Sequence, residues 1–376
     1  MPTTPQRARR WEEIGKAIGR WSDLGVWYVQ LAAEPSGTKT QPISIGIDPG
    51  KLYSGIAAQS ARFTLFLAHL VLPFKRVKER KEFQAMMRRT RRGRRINRKV
   101  AFNLRAHRQA RFSNRRQKKV APSIRANRQL ELRVVKELLA LYPVSSIVYE
   151  YVKADVDLTS GRKGARSGKG FSAVMAGQKW MLSELSKLGP EVKTLFGWQT
   201  SQLRNFLGLE KTHNKKEQSP ASHAVDGVAL ASSEFVGYRK YHGHGIEGAD
   251  WFGTVQVSLA APFRIIKRPP ISRRQLHLAQ PAKGGVRRKY GGTVTRHNGL
   301  RKGDFVKAVR ADKEFFGWVS GDTANQVSVS DSNWKRLGQF TASRVELIQR
   351  STGILCTHSL SVAWKEQTPL KLSPKK

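Results

Sequence analysis

Only one cysteine, Cys356, occurs in the 376 residues. A single thiol cannot close an intramolecular disulfide, and it cannot build a zinc site that needs several cysteines. Acidic residues are also scarce: 27 Asp and Glu stand against 69 Lys and Arg, giving a formal net charge of +42 and a pI near 11.1. So one-sided a charge calls for a polyanionic partner, and nucleic acid is the default. Long apolar runs are missing as well. The longest, Phe63 to Phe74, is interrupted by His69 and is too short to span a bilayer, so no membrane partner is expected. Arg9-Arg10 lead into Trp11-Glu12-Glu13 rather than an apolar stretch, which predicts no signal peptide and a cytoplasmic location. Neither Gly46 to Leu52 nor Gly164 to Gly170 has P-loop spacing, which removes nucleoside triphosphate binding. What is present is 39% apolar residues, enough for a real core, in a chain long enough for two or three domains.

The positive charge is concentrated. Lys75 to Lys119 carries twenty Lys or Arg against two acids, Glu79 and Glu82. Within it, Arg88, Arg91, Arg92, Arg95 and Arg98 recur at helical spacing and would share one face, with Arg89 and Arg94 beside them. Arg105, Arg108, Arg115 and Arg116 continue the basic extension. Such a face repels itself unless a polyanion lies along it, and Arg forks onto phosphate oxygens as Lys cannot. A solvated basic tail is the bland alternative, but tails lie at chain ends and this run lies inside.

Around it the chain reads as alternating elements. Strands are expected at 43–48, 53–58 and 62–72. A helix is expected over 123–142, with Leu132, Val135, Leu138, Leu139 and Tyr142 on one stripe, and a strand at 146–150. Residues 153–170 read as loop, 171–188 as a helix, 192–196 as a strand and 223–234 as a small-residue helix. In the leader, a helix over 11–18 and a strand over 25–31 are predicted. From about 251, short β-like runs at 303–309, 316–319 and 326–329 suggest a small β-barrel. The fold class is therefore α/β, a ribonuclease H-like mixed-sheet core interrupted by an arginine-rich helix, with a β-rich C-terminal domain. Its expected divisions are 1–41, 42–74, 75–119, 120–170, 171–250 and 251–376.

Three acids terminate apolar elements in this acid-poor chain. Asp48 and Glu150 end strands, and Asp226 opens a helix. Brought together they would repel unless cations neutralised them, so two Mg²⁺ ions are the expected occupants, with Mn²⁺ as a substitute. A pair roughly 4 Å apart can activate water and stabilise the leaving oxygen of a phosphodiester. His223, three residues before Asp226, is positioned to orient the water or protonate the leaving group. Taken singly, each residue has an ordinary reading as a turn acid, a surface acid, a helix acid or a capping histidine. Asp155 and Asp157 lie in a polar stretch and read as solvated, and His213 has no acid three residues on.

Several motifs together resemble a known family. Gly46-Ile47-Asp48-Pro49-Gly50, the arginine-rich helix after three strands, Tyr149-Glu150-Tyr151 and His223-Ala224-Val225-Asp226-Gly227 resemble a RuvC nuclease split by a bridge helix, as in the RNA-guided, transposon-encoded IscB family. Met1-Pro2 with Pro5-Gln6-Arg7-Ala8-Arg9-Arg10 is similar to the end of that family's PLMP motif, and the missing Pro-Leu predicts a truncated or degenerate leader. The Gly284 to Gly292 run, with Arg287, Arg288 and Lys289, is similar to the family's C-terminal domain, which implies contacts to RNA or to a target-adjacent motif. Tyr151 to Ser222 holds one histidine and no cysteine, and its helix–strand–helix stretch leaves no room for an HNH domain, so the sequence resembles IsrB, the HNH-lacking relative. The resemblance implies a monomeric protein in a complex with guide RNA, nicking the displaced strand of target duplex DNA in a prokaryotic cytoplasm and nucleoid. Two rivals remain: a dimeric junction resolvase working without RNA, and a non-catalytic RNA-binding or ribosome-associated protein. A zinc-ribbon nuclease of the TnpB type would need a cysteine set and a longer region before Asp48.

Overall fold

A computed structural model describes residues 3–34, 37, 39–94, 98–104, 120–153, 173–243, 246–259, 261–270 and 298–358. Its centre is the strand β3 (Ile43–Asp48), all six residues of which are buried. A continuous buried run of this kind belongs in the middle of a sheet covered on both faces. β3 pairs antiparallel with β4 (Tyr53–Ser60), which pairs antiparallel with β5 (Thr64–Val71). On its other side β3 runs parallel to β6 (Val144–Tyr151), and β6 parallel to β7 (Glu191–Phe196). Three antiparallel strands followed by two parallel ones form the ribonuclease H-like mixed sheet expected from the sequence.

The sheet reaches further than that. β10 (Phe263–Lys267) adds to β5 in parallel and β16 (Leu355–His358) adds to β10, making seven strands in the order β16-β10-β5-β4-β3-β6-β7. Between these two additions lies a separate antiparallel sheet of β11 (Phe305–Arg310), β12 (Lys313–Asp322), β13 (Gln326–Ser330), β14 (Arg336–Thr341) and β15 (Val345–Gln349). It has its own core of Leu300, Val306, Ala308, Val319, Val327, Val329 and Phe340. Where a small barrel was expected, no ladder between β14 and β15 closes this sheet among the described residues.

Alternation along the central strands decides which face each residue serves. Ile43, Ile45, Ile47, Ile147 and Tyr149 face one core, where they meet Leu130, Val134, Val135 and Leu138 of α3 (Pro122–Leu141) and Met181 and Leu185 of α4 (Ala173–Leu185). The opposite face, carrying Gly46, Asp48 and Glu150, is covered by α6 (Val225–Ser232), whose eight residues are all buried. α5 (Gly197–Phe206) packs beside it, joined through Leu203, Ala229 and Trp251, the last from the antiparallel pair β8 (Gly237–Gly243) and β9 (Ile246–Phe252). Two glycines permit this close approach. A Cβ on Gly46 would stand 2.0 Å from the Gly227 carbonyl oxygen, and one on Gly55 would stand 1.7 Å from that of His223.

In the leader, the helix expected over 11–18 is instead α1 (Pro5–Glu13), followed by an unforeseen strand β1 (Ala17–Trp21) that pairs in a hairpin with β2 (Trp27–Leu31), the strand expected over 25–31. Pro5 at the first turn with the Thr4 cap starts the helix early, and Gly15, at φ +70°, ends it. The hairpin turn docks on the main core through buried Leu24, whose carbonyl accepts from Cys356 Sγ at 3.0 Å. Burial pushes that thiol up to about 12, so the single cysteine packs rather than reacts.

The arginine-rich helix α2 (Phe74–Arg94) is present, with Arg88 and Arg89 exposed along it. It does not run through Arg98 as the spacing suggested: Arg98 lies in a turn, and residues 95–97 fall outside the described set. Gly93, and five arginines crowded within the last two turns, both weaken a helix end. Arg105, Arg108, Arg115, Arg116, Arg287, Arg288 and Lys289 lie outside the described residues, as do Asp155 and Asp157.

Gly46→Ala should displace α6 from the sheet, since backbone rather than a flexible side chain blocks the added methyl. An overpacking cost of about 1–3 kcal/mol is expected, read as a lower midpoint in thermal unfolding followed by circular dichroism. An unchanged midpoint would contradict the close approach.

Candidate metal centre and nucleic-acid interface

Asp48 is delivered by the end of β3, and the turn after it is held from below. Ser54 Oγ donates to the Asp48 carbonyl at 2.5 Å, and Arg128 Nη2 of α3 donates to the Gly50 carbonyl at 2.6 Å. Asn127 Nδ2 reaches the Lys51 carbonyl at 2.8 Å. Arg128 also donates to the Tyr149 hydroxyl and pairs with Glu131, both at 2.9 Å, inside the core. The turn after β3 is thus fastened to the helix that follows the basic segment.

His223 and Asp226 come from the opposite layer. The helix expected from 223 begins properly at Val225; before it, Pro220–Ala224 forms a π-helical turn in which Ser222 leaves helical geometry at φ −84°, ψ −128°. This kink sets His223 against the sheet, where its Nδ1 lies 2.9 Å from Asp48 Oδ2. Asp226, in the first turn of α6, is 3% exposed. Asp48, His223 and Asp226 can each offer a ligand atom with all three atoms within 4.8 Å of one another, and no other such trio occurs among the described residues.

Glu150 stands beside them on β6, one residue past the Ile47–Tyr149 register pair. Its carboxyl is raised from 4.5 to about 7, first by burial, then by Asp48, with Asp226 adding to it, while Thr200 and Lys211 act the other way. Burial and Asp48 raise the Asp226 carboxyl too. Acids that hold charge so reluctantly form a site that a divalent cation would relieve, and oxygen donors with one imidazole suit Mg²⁺ or Mn²⁺. The residues fit the group.

Sequence reasoning missed five side chains here. Lys211 Nζ pairs with Asp226 Oδ2, and Arg204 Nε lies 3.0 Å from Asp226 Oδ1. No spacing pattern points to either. Behind His223, buried His69 shares Nδ1 with Ser222 Oγ at 2.8 Å, and Tyr53 lies near both imidazoles. Burial, then the neighbouring His223, lowers His69 to about 4, so it supports the kinked turn as a neutral ring.

A second feature lies beside α3. A groove of about 700 Å³ runs between α3 and the C-terminal strands, lined in part by Arg133, Lys136, Arg268, Lys302 and Ile354. Burial lowers both Arg268 and Lys302, and Arg76 of α2 adds repulsion to Lys302. No carboxylate among the described residues pairs with Arg268 or Lys302. The groove therefore holds half-buried cations, one of them close enough to α2 to feel Arg76.

Residues 1–170 match the RRXRR protein family. The pattern of that name occurs here as Arg88-Arg89-Thr90-Arg91-Arg92, and the match spans the leader, β3 to β6 and the basic segment. No curated protein matches the sequence. Solved structures to which the chain is similar include Thermus thermophilus RuvC in complex with a Holliday junction substrate, at 14% identity and a TM-score of 0.26 over 50% of this chain and 90% of that one. A second Thermus thermophilus RuvC structure gives 15% identity and a TM-score of 0.24 over the same shares. No described helix is long and apolar enough to cross a membrane.

Because the folded protein holds the Glu150 proton more tightly than the unfolded chain, this residue's contribution to stability is full below 4.5 and is lost as pH rises to about 7. Without metal, stability should therefore fall across that window, and Glu150→Gln should flatten the slope. Urea unfolding at pH 4.5, 6 and 7.5 measures it; equal slopes in both proteins would refute the site's electrostatics.

Proposed function

We propose that the protein is a metal-dependent, RNA-guided DNA endonuclease of RuvC type, acting as a single-strand nickase in the manner of the HNH-lacking IsrB proteins it resembles. The observation that carries the nuclease reading is the convergence of Asp48, His223 and Asp226 from separate elements onto one buried point, with Glu150 beside them. Asp48, Glu150 and Asp226 would hold Mg²⁺, with Mn²⁺ as a substitute. Divalent ions bound there would supply water activation and stabilisation of the leaving 3′ oxygen. With Nδ1 committed to Asp48, His223 has Nε2 left to exchange a proton with water or the leaving group.

The RNA-guided part rests on charge and on the resemblance. α2 and the groove beside α3 give the chain a basic surface apart from the acidic centre, as a protein needs when it holds one nucleic acid and cuts another. The guide would supply base pairing, while the protein holds the heteroduplex by its backbone. Arg88, Arg89, Arg268 and Lys302 are the described residues proposed for phosphate contacts. The further basic residues from Arg91 to Arg116, and Arg287, Arg288 and Lys289, are proposed for the same role from sequence alone. The separate sheet of β11 to β15 would contact RNA scaffold or the target-adjacent motif.

With copurified or supplied guide RNA and a matched supercoiled plasmid, the product should be an open circle nicked on the non-guide strand. Asp48→Ala, Glu150→Ala and Asp226→Ala should each abolish nicking yet leave RNA binding nearly intact, because removing negative charge does not weaken a polyanion contact. Strand-specific 5′ labels on a denaturing gel read the outcome; equal cutting of both strands would end the nickase reading. RNA-independent cutting of four-way junctions would favour a resolvase instead.

Replacing Arg88, Arg89, Arg268 and Lys302 together by Gln should lower the log–log salt slope of RNA binding by about one unit for each phosphate no longer neutralised. Fluorescence anisotropy between 50 and 300 mM salt, as about the usable range, measures it. An unchanged slope would show these side chains to be merely solvated.

A further inference from the structure

Both carboxylate oxygens of Asp226 are already paired with cations of the chain itself. Lys211 Nζ pairs with Oδ2, and Arg204 Nε lies 3.0 Å from Oδ1. The carboxylate is 4% exposed, so these partners, rather than water, hold its charge. A divalent ion bound by Asp226 needs at least one of the same oxygens. The two cations are mounted differently. Arg204 projects from α5 as a planar fork and is 18% exposed. Lys211 is an ammonium on a flexible stem, 29% exposed, and so has a route to water.

The backbone around Lys211 is pinned on both sides. Leu209 N donates to the Arg204 carbonyl at 2.9 Å, beyond the left-handed Gly208 that ends α5, and Thr212 N donates to the Ala221 carbonyl at 2.9 Å. Thr212 Oγ1 in turn bonds Glu217 at 2.7 Å, which steadies the loop ahead of the π-helical turn. Withdrawing the ammonium therefore takes a rotamer change, with no need to open the loop.

Resting on the metal-centre reading above, we infer that Lys211 is a resident counter-ion of the site: it occupies the metal-facing oxygen of Asp226 in the metal-free protein, and metal binding displaces it, with Arg204 left holding the other oxygen. The device keeps three crowded acids from opening the α6–sheet junction before the metal arrives. It also weakens metal affinity, because every binding event must break a largely buried ion pair. Lys211 thus sets the metal concentration at which the centre fills.

The test uses the full chain, freed of nucleic acid, with Mn²⁺ as the probe and calorimetry or the signal of free Mn²⁺ by electron paramagnetic resonance as the readout. Lys211→Met should bind Mn²⁺ more tightly, by on the order of tenfold, and in chelator its thermal midpoint should fall, with Mn²⁺ restoring it. Lys211→Arg, which keeps the charge, should stay near wild type. Equal or weaker Mn²⁺ binding by folded Lys211→Met overturns the inference. In wild-type protein, independent of any variant, acylation of Lys211 followed by mass spectrometry should rise several-fold when Mn²⁺ is added, while Lys313 does not change; an unchanged Lys211 rate also overturns it. The metal-centre reading fails separately, if wild type binds no Mn²⁺ or Asp48→Asn binds it as wild type does.

Discussion

The architecture depends on one steric permission, the absence of side chains at Gly46 and Gly55 where α6 and its π-helical turn meet β3 and β4. Contact at backbone distance is what places a helix-borne Asp226 and a turn-borne His223 within ligand range of a strand-borne Asp48. A methyl group at either glycine would meet carbonyl oxygen, which cannot rotate away as a side chain can. The remainder of the sheet serves this junction. β6 sets Glu150 alongside, and α3 on the far face grips the turn after Asp48 through Arg128 and Asn127.

Electrostatics divides the molecule into two regimes. Along the groove, Arg268 and Lys302 have no carboxylate partner among the described residues, whereas Arg133 is paired with Asp23 and Glu137. At the α6 junction the balance reverses locally: burial and neighbouring acids raise the Glu150 and Asp226 carboxyls, and Lys211 and Arg204 act the other way on Asp226. A divalent cation is welcome at the second place and repelled from the first, whereas a phosphate backbone has the opposite preference.

α3 links these regimes. Its solvent side contributes Arg133 and Lys136 to the basic groove, and its core side contributes Arg128 and Glu131 to the network beneath Asp48. Glu131 falls on the same helical stripe as Val135, Leu138 and Tyr142, so a buried acid on an apolar face was visible in the sequence, with Arg128 one turn before it as its natural partner.

The sequence by itself determined the alternation that sends Asp48 and Glu150 to one face, the strands read at 43–48 and 146–150, the helix read over 123–142 and the basic helix α2, because periodicity and local charge are written in consecutive residues. It also marked Asp48, Glu150, His223 and Asp226 as a set, since acids are so few that three at the ends of apolar elements stand out. Tertiary structure alone decided what compensates them. Lys211 and Arg204 meet Asp226 from a loop and a helix whose sequence spacing carries no pattern, and the π-helical kink at Ser222 answers to packing against Gly55. Likewise, the sequence reading placed no strand at β10 or β16, and only the unpaired edge of β5, made available by the fold, recruits them into the central sheet. Contacts between distant segments follow from shape and exposed hydrogen-bonding edges, and neither is visible until the chain has closed on itself.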